Sequence, residues 1–326
     1  MIFSSSSETS PTCLFPAPSG KIAWDLDMKS LELLDHYTTV ACLTLGTAKN
    51  MYAWQVAIPQ IALSHDFVMY GILAVSALHL AMLQPHRKEE LRHQASIVEV
   101  TALPRFRHFV ELGAPQASHA VLAFAGFVVP YVLAQSGAVD APLGRIPSWN
   151  DEHPHLFHAI RGLVQVLKRS WMSLIVGPFS PLLSRVISPV DKSRNPDDAQ
   201  FIRIKELLKI GPNSSVEDEK VMLVCEDALE ELRRVAALPY SPCKTLDPIA
   251  AIYIWPGLMP EEFLPLIYDR RPEALVILAH YCVLFKQVDS TWYFNGLGQK
   301  LLIAIDDELG EAWRLWIEWA LKQPAI

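Results

Sequence analysis

Four side chains of this chain could move a proton between a carbon atom and solvent. His280 and His79 each sit in a long apolar run, Tyr131 follows Pro130 in another, and Asp289 precedes an aromatic, glycine-containing stretch. In a water-poor pocket, desolvation raises a carboxylic acid's pKa and lowers an imidazolium's, bringing acid and base toward operating pH. A positioned pair contributes about 10² to 10⁴ in rate. With His280 or His79 as base and Tyr131 or Asp289 on the donor side, the chemistry would be proton removal and return at an activated carbon. That is epimerisation or double-bond isomerisation, with no cofactor. The competing reading is a core histidine satisfied by one hydrogen bond. It fits His65 and His79 well, because 14 residues of helix put them roughly 21 Å apart, too far to share a metal or a proton.

Other chemistry is poorly supplied. His153, His155 and His158 fall within six residues, and His155 and His158 could meet on a helix face as zinc ligands. The stretch leads out of a polar loop, where histidines are ordinarily solvated. Cys13, Cys42, Cys225, Cys243 and Cys282 are odd in number and scattered, with no C-x-x-C pair. They predict neither a disulfide framework nor a metal site, and fit a reducing compartment. No G-x-S-x-G, P-loop or H-E-x-x-H occurs. Gly296-Leu-Gly298 lacks the third glycine and the preceding strand of a dinucleotide fingerprint.

The elements that must position these residues are helices. From Trp54 to Leu83 the only formal charge is Asp66. Pro59 is expected to end what precedes it, with Ser64 as N-cap of a helix that is apolar all round from Phe67 to Leu83. No Asp, Glu, Lys or Arg occurs between Glu111 and Asp140, so Ala120–Ala134 is a second buried helix, kinked by Pro130. Ser30 is expected to cap a first helix running to about Leu45, with Leu31, Leu34, Thr38, Ala41 and Leu45 on one face. A solvated amphipathic region spans Glu89–Phe109, broken at Pro104. Ala138–Pro154 reads as loop and His155–Val176 as helix. A capping box at Ser214 and Glu217 opens a helix to Leu238, with a stripe of Val221, Val224, Cys225, Ala228, Leu232 and Val235. Pro248, Pro260 and Pro272 each start a helix, and the last runs from about Gly298 to Leu321 with a break near Gly310. No period-two alternation and no repeat appears. The fold class is all-α: one domain of ten or more helices over residues 25–322, built around buried apolar helices with an internal small-molecule pocket. Tyr70 and Phe127, on the two nearly uncharged helices, are candidate pocket residues. Residues 1–24, rich in Ser and Pro, are expected to be disordered.

Composition limits the partners. Of 326 residues, 51% are hydrophobic and 19% charged, which predicts a large core; 24 prolines predict many short helices. The net charge of −7, without a basic cluster, argues against direct nucleic-acid binding. The apolar helices fall short of the roughly 20 residues of a membrane span, and the N-terminus has no secretory pattern. The expected partner is an apolar metabolite, with no membrane and with a homodimer left open.

Several stretches together resemble the C-terminal regulatory domain of fungal zinc-cluster transcription factors, closest to the sterol-uptake regulators. They are L-E-L-L-D-H-Y-T-T (31–39) and W-x-x-A-I-P-Q-I-A-L-S-H-D-F-V-M-Y-G-I-L-A-V-S-A-L-H-L-A (54–81). Further on come A-I-R-G-L (159–163), I-W-P-G-L (254–258), R-P-E-A-L-V-I-L-A-H-Y-C-V-L (271–284), W-Y-F-N-G-L-G (292–298) and W-I-E-W-A (316–320). The resemblance covers about residues 25–320. It implies an all-helical ligand-binding domain whose glycine loop borders the pocket, which points to Trp292, Tyr293, Asn295 and Gly296. Such regulators open with a cysteine-rich zinc cluster and a basic linker. Here the residues before the first matching helix hold one cysteine, Cys13, and no basic run. The expectation is therefore a stand-alone, cytoplasmic, cofactor-independent isomerase or epimerase of a secondary-metabolite pathway. The alternative is a ligand-responsive regulator, nuclear, lacking or separated from its DNA-binding part.

Overall fold

The computed structural model describes residues 27–46, 50–135, 156–180, 190–210, 216–240 and 248–325. Among them are fourteen α-helices and no strand. Residues 1–24, the 138–154 loop and Ser214 of the expected capping box lie outside the described residues.

Helix α1 (Met28–Thr39) begins three residues earlier than Ser30 would set it. Asp27 is the N-cap, and its Oδ1 accepts from the Ser30 N–H and Oγ, both at 2.8 Å. The helix ends at Thr39, followed by a 3₁₀ turn at Ala41–Thr44, rather than reaching Leu45. Thr38 and Thr39 both donate their hydroxyls to Asp35 O, a local bond that competes with further helix. The buried stripe is Leu33, Tyr37 and Ala41, while Leu31 is 45% exposed and Thr38 lies outside the core. Of the expected face, Ala41 and Leu45 are buried and Leu34 is half-buried, while Leu31 and Thr38 face out.

A π-helical turn at Ala53–Ala57 runs directly into α2 (Ile58–Ala62). Pro59 sits in the first turn of α2 and starts it rather than ending its predecessor, because a first-turn residue needs no N–H. Helix α3 (Asp66–Leu83) is the centre of the N-terminal half. Its N-cap is His65, in extended conformation and without a side-chain cap bond, so Ser64 does not serve. From Phe67 to Ala81 every residue but Tyr70 is buried, as the all-round apolar pattern predicts. Each such aliphatic or aromatic side chain contributes roughly 1.5–3 kcal/mol. Helices α4 (Lys88–Ile97), α5 (Leu103–Leu112) and α6 (Ser118–Gln135) close around it together with α1. Contact between α3 and α6 is close at Gly71, where a Cβ would lie 2.8 Å from Phe127 Cδ2 and 3.1 Å from Phe124 Cδ2.

Helices α3 and α6 are both long and apolar enough to cross a membrane, yet 78% and 72% of their apolar windows are buried inside the fold. That is the situation of core helices.

Helix α7 (Leu156–Leu174) lies along α6. The C-terminal half comprises α8 (Asp198–Ile210), α9 (Val216–Ala236), α10 (Pro248–Leu258), α11 (Phe263–Tyr268), α12 (Pro272–Lys286), α13 (Leu297–Leu309) and α14 (Glu311–Lys322). Here α12 is the buried axis, with every residue from Glu273 to Lys286 buried. Helices α8, α9, α10, α11, α13 and α14 all touch it. Gly310, at φ 66°, separates α13 from α14 where the sequence places a break. On α9 the buried stripe is Cys225, Ala228, Leu229, Leu232, Val235 and Ala236, with Val221 and Val224 only half-buried. Buried side chains from both halves join in a single hydrophobic cluster.

Candidate functional site

A cavity of about 690 Å³ lies between the two halves. Trp54 and Ile58 form one wall; Leu122, Gly126 and Pro130 of α6 another. Leu163, Leu167 and Trp171 of α7 face Ile249, Tyr253 and Ile254 of α10, and Tyr293 closes one end. Trp171 is 42% exposed and marks the rim. The volume falls in the roughly 300–1,000 Å³ range of small-molecule sites, and the walls are overwhelmingly apolar.

Local sequence explains the hollow. Pro130 has no N–H, so the Gly126 carbonyl lacks its helical donor, and both residues line the cavity within the continuous helix α6. Gly126 also leaves room for Trp54: a Cβ there would lie 3.2 Å from the indole Cη2. The Trp54 ring meets Phe127 edge-on at 5.5 Å, and its carbonyl accepts the Tyr37 hydroxyl at 2.9 Å. Its Nε1–H is buried with no hydrogen-bond partner. Trp54 was legible only as part of the W-x-x-A-I-P motif; its place in a cavity wall depends on α6 and α7.

Helix α3 contributes no lining residue to this cavity, although the sequence suggested it as a wall. It lies behind α6, sealed by the Gly71 contact. Phe127 is buried and packs on Tyr37 and Trp54, one layer behind the lining, and Tyr70 is half-buried on α3.

The loop between α12 and α13 supplies the other edge. Asp289 Oδ1 accepts the Gly296 N–H at 2.7 Å, and the Asp289 carbonyl accepts from Asn295 Nδ2 at 3.1 Å. These two bonds close the loop, and Gly296 at φ 70° takes the left-handed turn into α13. Trp292, Tyr293 and Phe294 are thereby driven inward, while Asn295 is exposed. Of the loop residues singled out from the sequence, Tyr293 lines the cavity. Trp292 instead meets His79 edge-on at 5.2 Å, with its Nε1–H buried and unpartnered.

The four acid–base candidates are not gathered on the cavity. His280 Nδ1–H donates to Val276 O at 2.9 Å, and the ring stacks on Trp319 at 5.3 Å with Phe201 edge-on at 5.7 Å. Burial, with Arg203 adding to it and the Val276 bond opposing it, pushes its pKa down to about 4, so the ring is neutral. His79 Nδ1 lies 2.9 Å from His36 Nε2, one ring donating to the other. Burial first and His36 second push His79 down to about 4. Tyr131 is buried beside Pro130, and Asp289 is occupied in the loop. Each histidine thus serves a different packing junction: α8–α12–α14 for His280, and α1–α3–loop for His79.

Of the three clustered histidines, His153 and His155 lie outside the described residues. His158 stacks on Tyr268, whose hydroxyl is 3.1 Å from its Nδ1. Among the described residues no three His, Cys, Asp or Glu side chains are placed to hold a metal.

Comparison with known proteins bears out the resemblance read from the sequence. Residues 32–107 match the fungal specific transcription factor domain. The chain is 26% identical to a Zn(2)-C6 fungal-type transcription factor of Gibberella zeae, over 96% of this chain and 66% of that protein. It is 22% identical to sterol uptake control protein 2 of Candida albicans, over 88% of this chain and 41% of that protein. For sterol uptake control protein 2 of Saccharomyces cerevisiae the identity is 24%, over 88% of this chain and 31% of that protein. The chain therefore spans only part of the length of each of these relatives. Over most of its length it is similar to fungal transcription factors.

Proposed function

We propose that this chain is the ligand-sensing part of a fungal transcriptional regulator, acting in the nucleus and occupied by an apolar metabolite of the sterol class. The observation that carries the reading is the cavity walled by Trp54, Pro130, Leu163, Tyr253 and Tyr293, of ligand size and nearly without polar lining. Its rim is formed by helices from both halves, so a bound molecule would bridge α6, α7 and α10 and stabilise their arrangement. The relatives that include sterol uptake control proteins support the ligand class. Residues 25–322 act as one sensing unit in this reading, and direct DNA contact is assigned to no surface of it, in keeping with the net charge of −7.

The proton-transfer reading has less support. Its histidines are held neutral in aromatic surroundings away from the cavity, and no observation favours it over the regulatory reading.

The test is binding of a sterol panel, ergosterol first, by native mass spectrometry and thermal denaturation. At a ligand concentration of 100 Kd, mass action adds about 2.7 kcal/mol of stability, a shift of several degrees. Ala250→Phe, which fills the cavity from α10, should abolish the shift while circular dichroism stays helical. Absence of binding by any sterol and by a broad panel of apolar fungal metabolites would overturn the proposal.

A further inference from the structure

A second cavity of about 730 Å³ lies on the other side of α7, between that helix, α5 and α6. Its floor is apolar: Phe106 and Phe109 of α5, with Val121, Ala125 and Val128 of α6. Its end is different in kind. Lys168, Arg169 and Ser170 of α7 line it beside Ser118, the first residue of α6. No Asp or Glu is among its described lining residues, in a chain with a net charge of −7.

The cations there are underused. Lys168 Nζ reaches the Gly257 carbonyl at 3.3 Å, and Arg169 Nη1 the Val110 carbonyl at 3.2 Å. Neither makes an ion pair with a described residue, so most of their N–H donors stay available. Ser118, 4% exposed as a residue, lines the cavity beside them. A cavity with an apolar floor, two cations at one end and no described acid suits a ligand with an apolar body and one anionic end.

We propose that this second cavity binds an amphipathic anion, a long-chain carboxylate, separately from the ligand of the first cavity. The carboxylate meets Arg169, whose planar fork suits two oxygens, together with Lys168 and the Ser118 hydroxyl. The alkyl chain runs over Phe106, Phe109 and Val121. The site is independent of the sterol-class reading, since the two cavities share only Leu163 and Lys168 on the ridge of α7.

Dodecanoate and 1-dodecanol are the probes, titrated below 1 mM by calorimetry into the full chain. Dodecanoate should bind at least tenfold more tightly than the alcohol. Arg169→Glu, at an exposed position, should weaken dodecanoate at least tenfold and leave the alcohol unchanged. Gly162 lines the cavity, and a Cβ there meets nothing within 4 Å, so Gly162→Leu adds side-chain bulk at the cavity wall without a clash at Cβ. It should weaken both probes. Ala250→Phe, in the first cavity, should leave dodecanoate binding intact. Equal binding of acid and alcohol, no saturable binding, indifference to Arg169→Glu or Gly162→Leu, or loss on Ala250→Phe would each overturn the proposal.

Discussion

Replacing His280 with asparagine should flatten the acid side of the stability profile. An unfolded histidine titrates near 6.5, whereas burial holds folded His280 down to about 4. Between those values the unfolded chain carries a proton that the folded chain lacks, so stability falls as pH falls. Above pH 6.5 the ring is neutral in both states and contributes no slope; below about pH 4 both states are protonated and the slope ends. Inside the window one histidine costs about 1.4 kcal/mol per pH unit. Titration is only beginning near pH 6.5, so from pH 7 to 5.5 the loss through His280 is about 1 kcal/mol. His79, also pushed to about 4, adds a loss of the same sign. The amide nitrogen of asparagine takes the place of Nδ1 and can keep the bond to Val276 O. Losing the ring on Trp319 should lower stability by about 2–3 kcal/mol at every pH. The readout is therefore the difference between pH 7 and pH 5.5, from urea denaturation followed by circular dichroism. His280→Asn should lose about 1 kcal/mol less than the parent over that interval. An identical loss in the two proteins would refute the buried, neutral assignment.

Gly71→Ala sets a Cβ 2.8 Å from Phe127 Cδ2; overpacking of this kind should cost about 1–3 kcal/mol in thermal denaturation, and an unchanged melting temperature would show that α3 and α6 are less closely packed. Tyr281 is fully buried and its hydroxyl donates to Ile252 O at 2.7 Å, so Tyr281→Phe should lose about 1–2 kcal/mol by the same assay. Asp289→Ala removes the acceptor of the Gly296 N–H; it should loosen the loop that carries Tyr293, seen as faster amide hydrogen exchange at residues 290–296 and weaker sterol binding, with exchange elsewhere unchanged. The chain alone should show no sequence-selective shift of DNA at moderate salt, and a selective gel shift would contradict the charge argument.

By itself the sequence determined the helical architecture and which helices of the N-terminal half are central. The runs 67–83 and 120–134 are apolar on every side, and a helix with no polar face has nowhere to go but a core; that α12 is the axis of the C-terminal half emerged only from the packing. Prolines at 59, 104, 248 and 272 and Gly310 punctuate the chain at or within a turn of helix boundaries, because the missing N–H and the left-handed φ act locally. Where local signals compete, the reading slipped by a few residues: Asp27 outbids Ser30 as a cap, and threonine hydroxyls end α1 early.

Tertiary structure alone decided what each polar side chain does. From the sequence, His79 or His280 reads equally as a base or as a core histidine, and Asp289 as a proton donor, since spacing along one helix says nothing about the ring on the next. Trp319, Phe201 and Trp292 come from distant elements, and it is their approach that desolvates the two imidazoles. Asp289 is claimed by a backbone N–H seven residues on, a bond that exists only once the loop closes. The cavities are still less legible. Each is a gap left where α7 rests on α6, with one wall from Trp54 and α10 and the other from α5, segments up to about 200 residues apart in the chain. Burial is written in composition because every apolar side chain gains by it; a void is the place where packing fails to close, and that depends on how whole helices cross.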